Sequence, residues 1–120
     1  MNADVKAACL ALVGELKAVE LVADVDPDAL NPPCVWVQPR QIRDRRLDGS
    51  GTLVAWCYVI APNVDTATAM AQLDGDLATL LEVVSVADSD DVIDLAAAVV
   101  LPTNPTNPLP AYRVAVDLDL

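Results

Sequence analysis

Residues 52–61 read Thr-Leu-Val-Ala-Trp-Cys-Tyr-Val-Ile-Ala, the clearest strand pattern in this chain. Successive side chains of a strand point to opposite faces of a sheet. One face carries Leu53, Ala55, Cys57 and Val59, and the other carries Val54, Trp56, Tyr58 and Ile60. Because both faces are apolar, both should be covered. We expect helices to cover the first face, and we expect the more aromatic second face to contact another subunit.

Two helix patterns flank this strand. Apolar residues recur at helical spacing from Val5 to Leu16, which predicts a helix over about residues 3–18. A second helix is predicted over about residues 64–84, with Asn63 or Asp65 as its N-cap. Its predicted inner stripe consists of Met70, Leu73, Leu77, Leu80, Leu81 and Val84.

Four further segments have strand character. Residues 34–39, 94–101 and 111–120 predict strands, and residues 19–23 predict a short one. Pro39 cannot donate to a ladder, so it marks an edge position or the end of its strand. Residues 102–110 hold four prolines, which predicts a stiff extended arm without regular structure.

This order predicts a single α+β domain over residues 1–120. The elements run α-β-β-β-α-β-β. They form a mixed, mainly antiparallel sheet of four to five strands, with two helices packed on one face.

The composition limits the possible functions. The net charge is −11, which argues against general binding of nucleic acids and of anionic membrane surfaces. The apolar run at residues 95–101 is far too short to span a membrane. The first residues have no basic segment, so we expect no signal peptide. The three cysteines are widely spaced and odd in number, which favours buried thiols in a reducing compartment.

The sequence offers little catalytic chemistry. There is no histidine to act as a base near neutral pH. The Gly49-Ser50-Gly51 turn matches neither a phosphate loop nor a nucleophile elbow. Asp88, Asp90 and Asp91 form an acidic turn that lacks the central glycine and final glutamate of a calcium loop. We therefore predict no enzyme, no catalytic or metal-binding residue and no cofactor.

Positive charge is concentrated in one seven-residue segment. Arg40, Arg43, Arg45 and Arg46 lie within residues 40–46, which carry a formal charge of +3 in an acidic chain. The segment precedes a glycine-rich turn, so we expect it at the tip of a hairpin. It would be a solvated tip, a docking element for carboxylates on a neighbour, or a contact for DNA inside a ring. A neighbouring copy offers Asp88, Asp90 and Asp91 as carboxylates.

Trp36, Trp56 and Tyr58 also allow two interpretations. They either fill the core or anchor a subunit interface, where Trp and Tyr are enriched.

The chain resembles the tail terminator proteins of long-tailed, siphovirus-type bacteriophages, particularly those of phages of actinobacteria. The resemblance covers most of the chain and rests on several features together. These are the N-terminal helix with the segment Asn-Pro-Pro-Cys-Val-Trp-Val-Gln-Pro at 31–39, Trp-Cys-Tyr-Val-Ile at 56–60, the helix starting near residues 65–67, and Leu-Pro-Ala-Tyr-Arg-Val-Ala-Val at 109–116.

The resemblance implies a virion protein of the tail and neck that assembles in the cytoplasm of the host bacterium. Such a subunit forms a homo-oligomeric ring, a hexamer, that caps the tail tube. The ring ends polymerisation of the tube protein and joins the tail to the head-side connector or stopper protein, and DNA passes through its lumen. No catalysis and no cofactor are implied, and no single residue carries over.

Alternatives remain at this point. One is another phage neck or head–tail joining protein. Another is a ferredoxin-like regulatory domain for a small ligand, which would require a glycine-rich loop at a helix N-terminus. A third is an enzyme subunit that acts only with a partner chain.

Overall fold

The computed structural model describes residues 5–43, 46–47, 51–62, 65–84, 93–102 and 104–119. In chain order it contains helix α1 (Val5–Ala18), strand β1 (Ala23–Asp24), a 3-10 turn (Pro27–Ala29), strands β2 (Cys34–Arg43) and β3 (Thr52–Ile60), helix α2 (Thr66–Val83), and strands β4 (Asp94–Leu101) and β5 (Asn104–Asp119).

The five strands form one sheet in the order β1-β2-β3-β5-β4. The pairs β2–β3, β3–β5 and β4–β5 are antiparallel, and only β1 runs parallel to its neighbour β2. The predicted α+β class and the element order are confirmed. The chain passes from β3 through α2 to β4, and β5 then returns between them.

Both helices cover the same face of the sheet. The core on this helix-side face contains the four β3 residues expected there, packed against the buried side chains Cys9, Leu12, Val13, Leu16, Ala69, Leu73 and Leu80 of the helices. Asp65 is the N-cap of α2, since its carboxylate accepts a hydrogen bond of 3.1 Å from the Thr68 N–H.

The predicted inner stripe of α2 was wrong at two positions. Met70 and Leu81 are 51% and 37% exposed, whereas Ala69 and Leu80 are buried. Each residue advances about 100° around a helix, so a side chain one position beyond a buried one turns toward solvent. The small Ala69 takes the core position instead.

The prediction that residues 102–110 lack regular structure was also wrong, because β5 begins at Asn104. The carbonyl of Pro110 accepts from the Ala61 N–H at 3.0 Å, so the backbone of Pro110 faces the β3 side. Strand β3 ends at Ile60. The missing N–H of Pro110 therefore removes at most one bond, to Ala61 just beyond the end of β3, and Pro108, two residues earlier, faces the same side farther beyond that end. Pairing with β4 on the other side continues at Leu109.

Two strand boundaries also differ from the prediction. Strand β2 does not end at Pro39 but continues to Arg43, with a bulge between Pro39 and Gln41. The Val35 N–H donates to Val22 at the outer edge of β2, and Pro39, an even number of residues later, faces the same outer side. Pro39 thus occupies the predicted edge position. The short strand expected at residues 19–23 is instead β1.

Removing core volume from α2 tests this packing. We expect Leu80→Ala to lower the free energy of unfolding by about 2–5 kcal/mol, because the Leu80 side chain is fully buried. Leu81→Ala, its neighbour on the exposed side, should cost less than about 1 kcal/mol. Urea denaturation of both variants measures the difference. Equal losses would contradict the assigned orientation of α2.

Candidate assembly surface

The sheet face opposite the helices carries the candidate site, which we call the aromatic face. Cross-strand register places Trp36 of β2 beside Tyr58 of β3, and Arg113 of β5 on the other side of Tyr58. Trp56, Val54 and Ala115 form the next part of the same face. Trp36, Trp56 and Tyr58 are all partly exposed.

One end of the aromatic face is covered from within the chain. Leu30 and the side chains Val99, Leu101 and Leu109 of the β4–β5 hairpin pack with Ile60 in a second apolar cluster. The expectation that this face lacks an internal partner was therefore wrong at the Ile60 end. Trp36 and Tyr58 also pack against this cluster, and Trp56 packs against Val54 and Ala115. Contact of the aromatic face with another subunit stays a prediction.

The aromatic side chains hold each other in place. The rings of Trp36 and Tyr58 stack at a centroid distance of 5.4 Å, and Trp56 meets Tyr58 edge-on at 6.1 Å. The indole N–H of Trp36 donates to the Val25 carbonyl at 3.2 Å. Offset-stacked and edge-to-face pairs of this kind restrict ring motion, which makes the surface rigid.

Two arginines lie against Trp56. The guanidinium carbon of Arg40 is 4.0 Å from the ring centroid of Trp56, and that of Arg113 is 4.1 Å away. Arg113 also approaches Asp94 at 3.8 Å. The cation–π contacts fix the positions of both charges on the sheet.

Arg43 has a partner in its own chain. Its Nη2 atom donates to Asp117 Oδ1 at 2.7 Å, and the two side chains are each about one quarter exposed. Arg40 and Arg43 belong to β2, so the expectation that the basic segment is a hairpin tip was wrong for these two residues. The strand continues through them because the ladder with β3 extends to the pair Arg43–Thr52.

Of the remaining predicted site residues, the structure describes one. Arg46 is exposed beyond the end of β2. Arg45 and the acidic residues Asp88, Asp90 and Asp91 lie outside the described residues.

Sequence reasoning missed Arg113, Asp94 and Asp117 as parts of the site. Alternation along residues 111–120 predicts that Arg113 and Asp117 lie on the face opposite Tyr112, Val114 and Val116. It gave no register between β5 and its neighbours, so it could not show that Arg113 reaches Trp56 or that Asp117 reaches Arg43.

The three cysteines are buried and unbridged. Burial raises the pKa of the Cys9 thiol, and it raises the pKa of Cys57 to about 12, with a smaller contribution from Cys9. Burial, assisted by the charge of Asp76, raises the pKa of Cys34 to about 12 as well. These thiols are therefore poor nucleophiles and poor metal ligands.

Among the described residues, no group of three or more Cys, Asp or Glu side chains could hold a metal ion. Neither α1 nor α2 is long and apolar enough to cross a membrane.

Comparisons of the chain with protein-family models, with curated proteins and with solved structures gave no match.

The buried thiols should not react in the folded protein. A thiol of pKa about 12 is ionised to about one part in 10⁴ at pH 8. We expect an aromatic disulfide reagent to label Cys34 and Cys57 at pH 8 only after denaturant is added. Mass spectrometry of the intact chain counts the labels, and rapid labelling of the native protein would contradict the described burial.

A double-mutant cycle tests the pairing of Arg43 with Asp117. With Arg43→Gln and Asp117→Asn, we expect a coupling free energy of about 1 kcal/mol that falls in 1 M salt. The longer pair Arg113–Asp94 is the matched comparison, and its coupling should be only a few tenths of a kcal/mol. Thermal unfolding of the seven proteins, the wild type being common to both cycles, supplies both values. Equal coupling in the two cycles would show that the shorter distance has no energetic consequence.

Proposed function

We propose that this protein is a structural subunit of a phage tail, which assembles as a ring of six copies on the head-side end of the tail tube. The ring ends growth of the tube protein and presents a surface to the head-side connector. One observation carries the proposal: a rigid aromatic face, partly exposed, with two arginines fixed beside it.

The composition of the aromatic face supports a protein partner. Trp, Tyr and Arg are the residue types that dominate binding energy at protein interfaces. Trp36, Trp56 and Tyr58 lie on strands rather than loops, so little conformational entropy is lost when a partner covers them. A surface of this kind suits a permanent contact between subunits.

Charge supports another copy of this chain as the partner. The Arg40 guanidinium lies over the ring of Trp56, and a cation–π contact leaves N–H donors of the guanidinium available to carboxylates. The chain has 18 acidic residues and seven basic ones. The exterior of a neighbouring copy is therefore a ready source of carboxylates for Arg40 and Arg46.

The resemblance to tail terminators supports the place of the ring in the virion. The chain also fits that family in size and in its α+β fold. The ferredoxin-like alternative is less well supported, because that topology has two split β-α-β units. Among the described elements there is one, formed by β3, α2 and β4 with β5 between the strands.

Contact with DNA in the lumen is the competing role for the arginines. Arg43 and Arg113 already lie next to carboxylates of their own chain. Their positive charge is therefore partly balanced before any phosphate arrives, which favours a protein partner.

Ring formation is the direct test. We expect electron microscopy and light scattering of the purified protein to show six-fold rings with an open lumen. Arg40→Glu should abolish the rings, because it places a carboxylate against the acidic partner surface. The fold should remain, since an exposed cation–π contact contributes only about 0.5–1 kcal/mol.

Lys6→Glu is the matched control, because it makes the same charge change at an exposed site in the first turn of α1. This control should keep the rings. A wild-type protein that stays monomeric at every concentration would count against the proposed function. Rings that persist in Arg40→Glu would instead show that the aromatic face is not part of the subunit interface.

A further inference from the structure

An apolar groove opens on the helix side of the sheet, between α2 and the β4–β5 hairpin. It has a volume of about 540 Å³, and its walls include Met70 and Leu73 of α2, Leu95 of β4 and Tyr112 of β5. Among the described residues that line it, none is charged. Met70 is 51% exposed and Leu95 is 61% exposed, so apolar surface on both walls is open to solvent. A groove of this size has room for an apolar side chain and the residues beside it.

The surroundings of this groove are acidic. Residues 65–84, which contain α2 and its N-cap, include four acidic residues and no Lys or Arg. Asp65 directly precedes the first lining residue, and Asp74 accepts a hydrogen bond of 3.2 Å from the hydroxyl of Tyr112. Arg113 lies on the other face of the sheet, over the ring of Trp56. An occupant of the groove should therefore combine an apolar side chain with positive charge.

The connection between β2 and β3 offers such an occupant. Leu47 lies there and is fully exposed, so its whole apolar side chain is available for burial. Arg46 precedes it and is also exposed. Residues 40–48 contain four Arg and two Asp, a formal charge of +2. The same chain therefore carries an exposed leucine on a basic segment and an apolar groove in acidic surroundings.

These two features lie at opposite ends of the sheet. Leu47 follows the end of β2, where Arg43 pairs with Thr52. The groove lies at the other end of β3, because its lining residue Ala111 pairs with Ile60. The distance from Thr52 to Ile60 along β3 is about 27 Å at about 3.4 Å per residue. A chain therefore cannot place its own Leu47 in its own groove, but it can place Leu47 in the groove of a neighbour.

We propose that Leu47 of each copy inserts into this groove on the next copy, with Arg46 beside the carboxylates of α2. The contact is heterologous, because two different surfaces meet. Heterologous contacts close into a ring when the rotation between neighbours allows it, so this contact is compatible with six-fold symmetry. The inference rests on the proposed function, since it specifies where one copy of the ring meets the next.

Two variants block the two halves of the contact separately. Leu47→Asn replaces the apolar side chain without a change of charge, and Met70→Lys places in the groove a charge that repels Arg46. Both positions are exposed, so both variants should fold. Loss of the leucine contact should weaken association of the copies about ten- to a hundredfold. Leu10→Asn on α1 and Leu81→Lys on α2 are the matched controls at exposed sites that do not line the groove, and they should associate as the wild type does.

Mixing the two blocked variants tests whether the occupant is a second copy. Isotope-labelled Leu47→Asn retains an intact groove, and unlabelled Met70→Lys retains an intact Leu47. In an NMR titration to about 1 mM, where a contact with a Kd near that value is about half-formed, we expect amide shifts at Leu73, Leu95 and Tyr112 of the labelled chain. Unlabelled Leu47→Asn is the control titrant, and it should cause no shifts at these residues.

Three results would overturn this contact. They are the absence of shifts at the groove residues, equal shifts with both titrants, and rings of Leu47→Asn that withstand dilution as well as wild-type rings. A wild type that forms no rings, while the mixed variants show the expected shifts, would contradict the proposed function and leave the contact in place. The effect of Arg40→Glu on rings is a separate result, because Arg40 lies on the aromatic face.

Discussion

The two apolar faces of β3 impose the constraint on which the rest of this structure depends. The strand is hydrogen-bonded on both sides, to β2 and to β5, so only its faces remain to be covered. Two helices are enough for one face, where Ala55, Cys57 and Val59 are fully buried. Among the described elements there is no third α-helix for the other face. That face is covered by Leu30 and the β4–β5 hairpin at the Ile60 end, and elsewhere by arginines lying on Trp56.

The unequal lengths of the central strands explain how the hairpin reaches that face. Strand β5 has 16 residues and β3 has nine. The first part of β5 therefore has only β4 as a neighbour, and a two-stranded ribbon twists more than a wide sheet. The twist brings Leu101 and Leu109 over Ile60. Because the same ribbon ends the sheet, the outer edge of β4 pairs with no other described strand.

Periodicity in the sequence predicted the elements well where a single rule decides the structure. The alternation around Cys57 and Tyr58 assigned both faces of β3, and the helix stripes located α1 and α2 within a few residues. Prediction failed where long-range register decides. Whether Pro110 breaks a strand depends on where β3 ends beside it. Whether Met70 or Ala69 faces the core depends on how α2 is placed against the sheet. A single sequence shows neither where β3 ends beside Pro110 nor how α2 is placed against the sheet.

The same reasoning applies to the arginines, which the sequence presents as one cluster of four. The register of the strands gives the described arginines different partners. Arg43 is matched to Asp117 and contributes to the cohesion of the β2–β3–β5 layer. Arg40 is held by an uncharged ring, which fixes its position without neutralising it. A fixed guanidinium that still has donors to offer is the better group for binding a carboxylate, because less entropy is lost on contact. The capacity of the cluster to recognise an acidic surface therefore depends on the partner of each arginine more than on the total charge of +3.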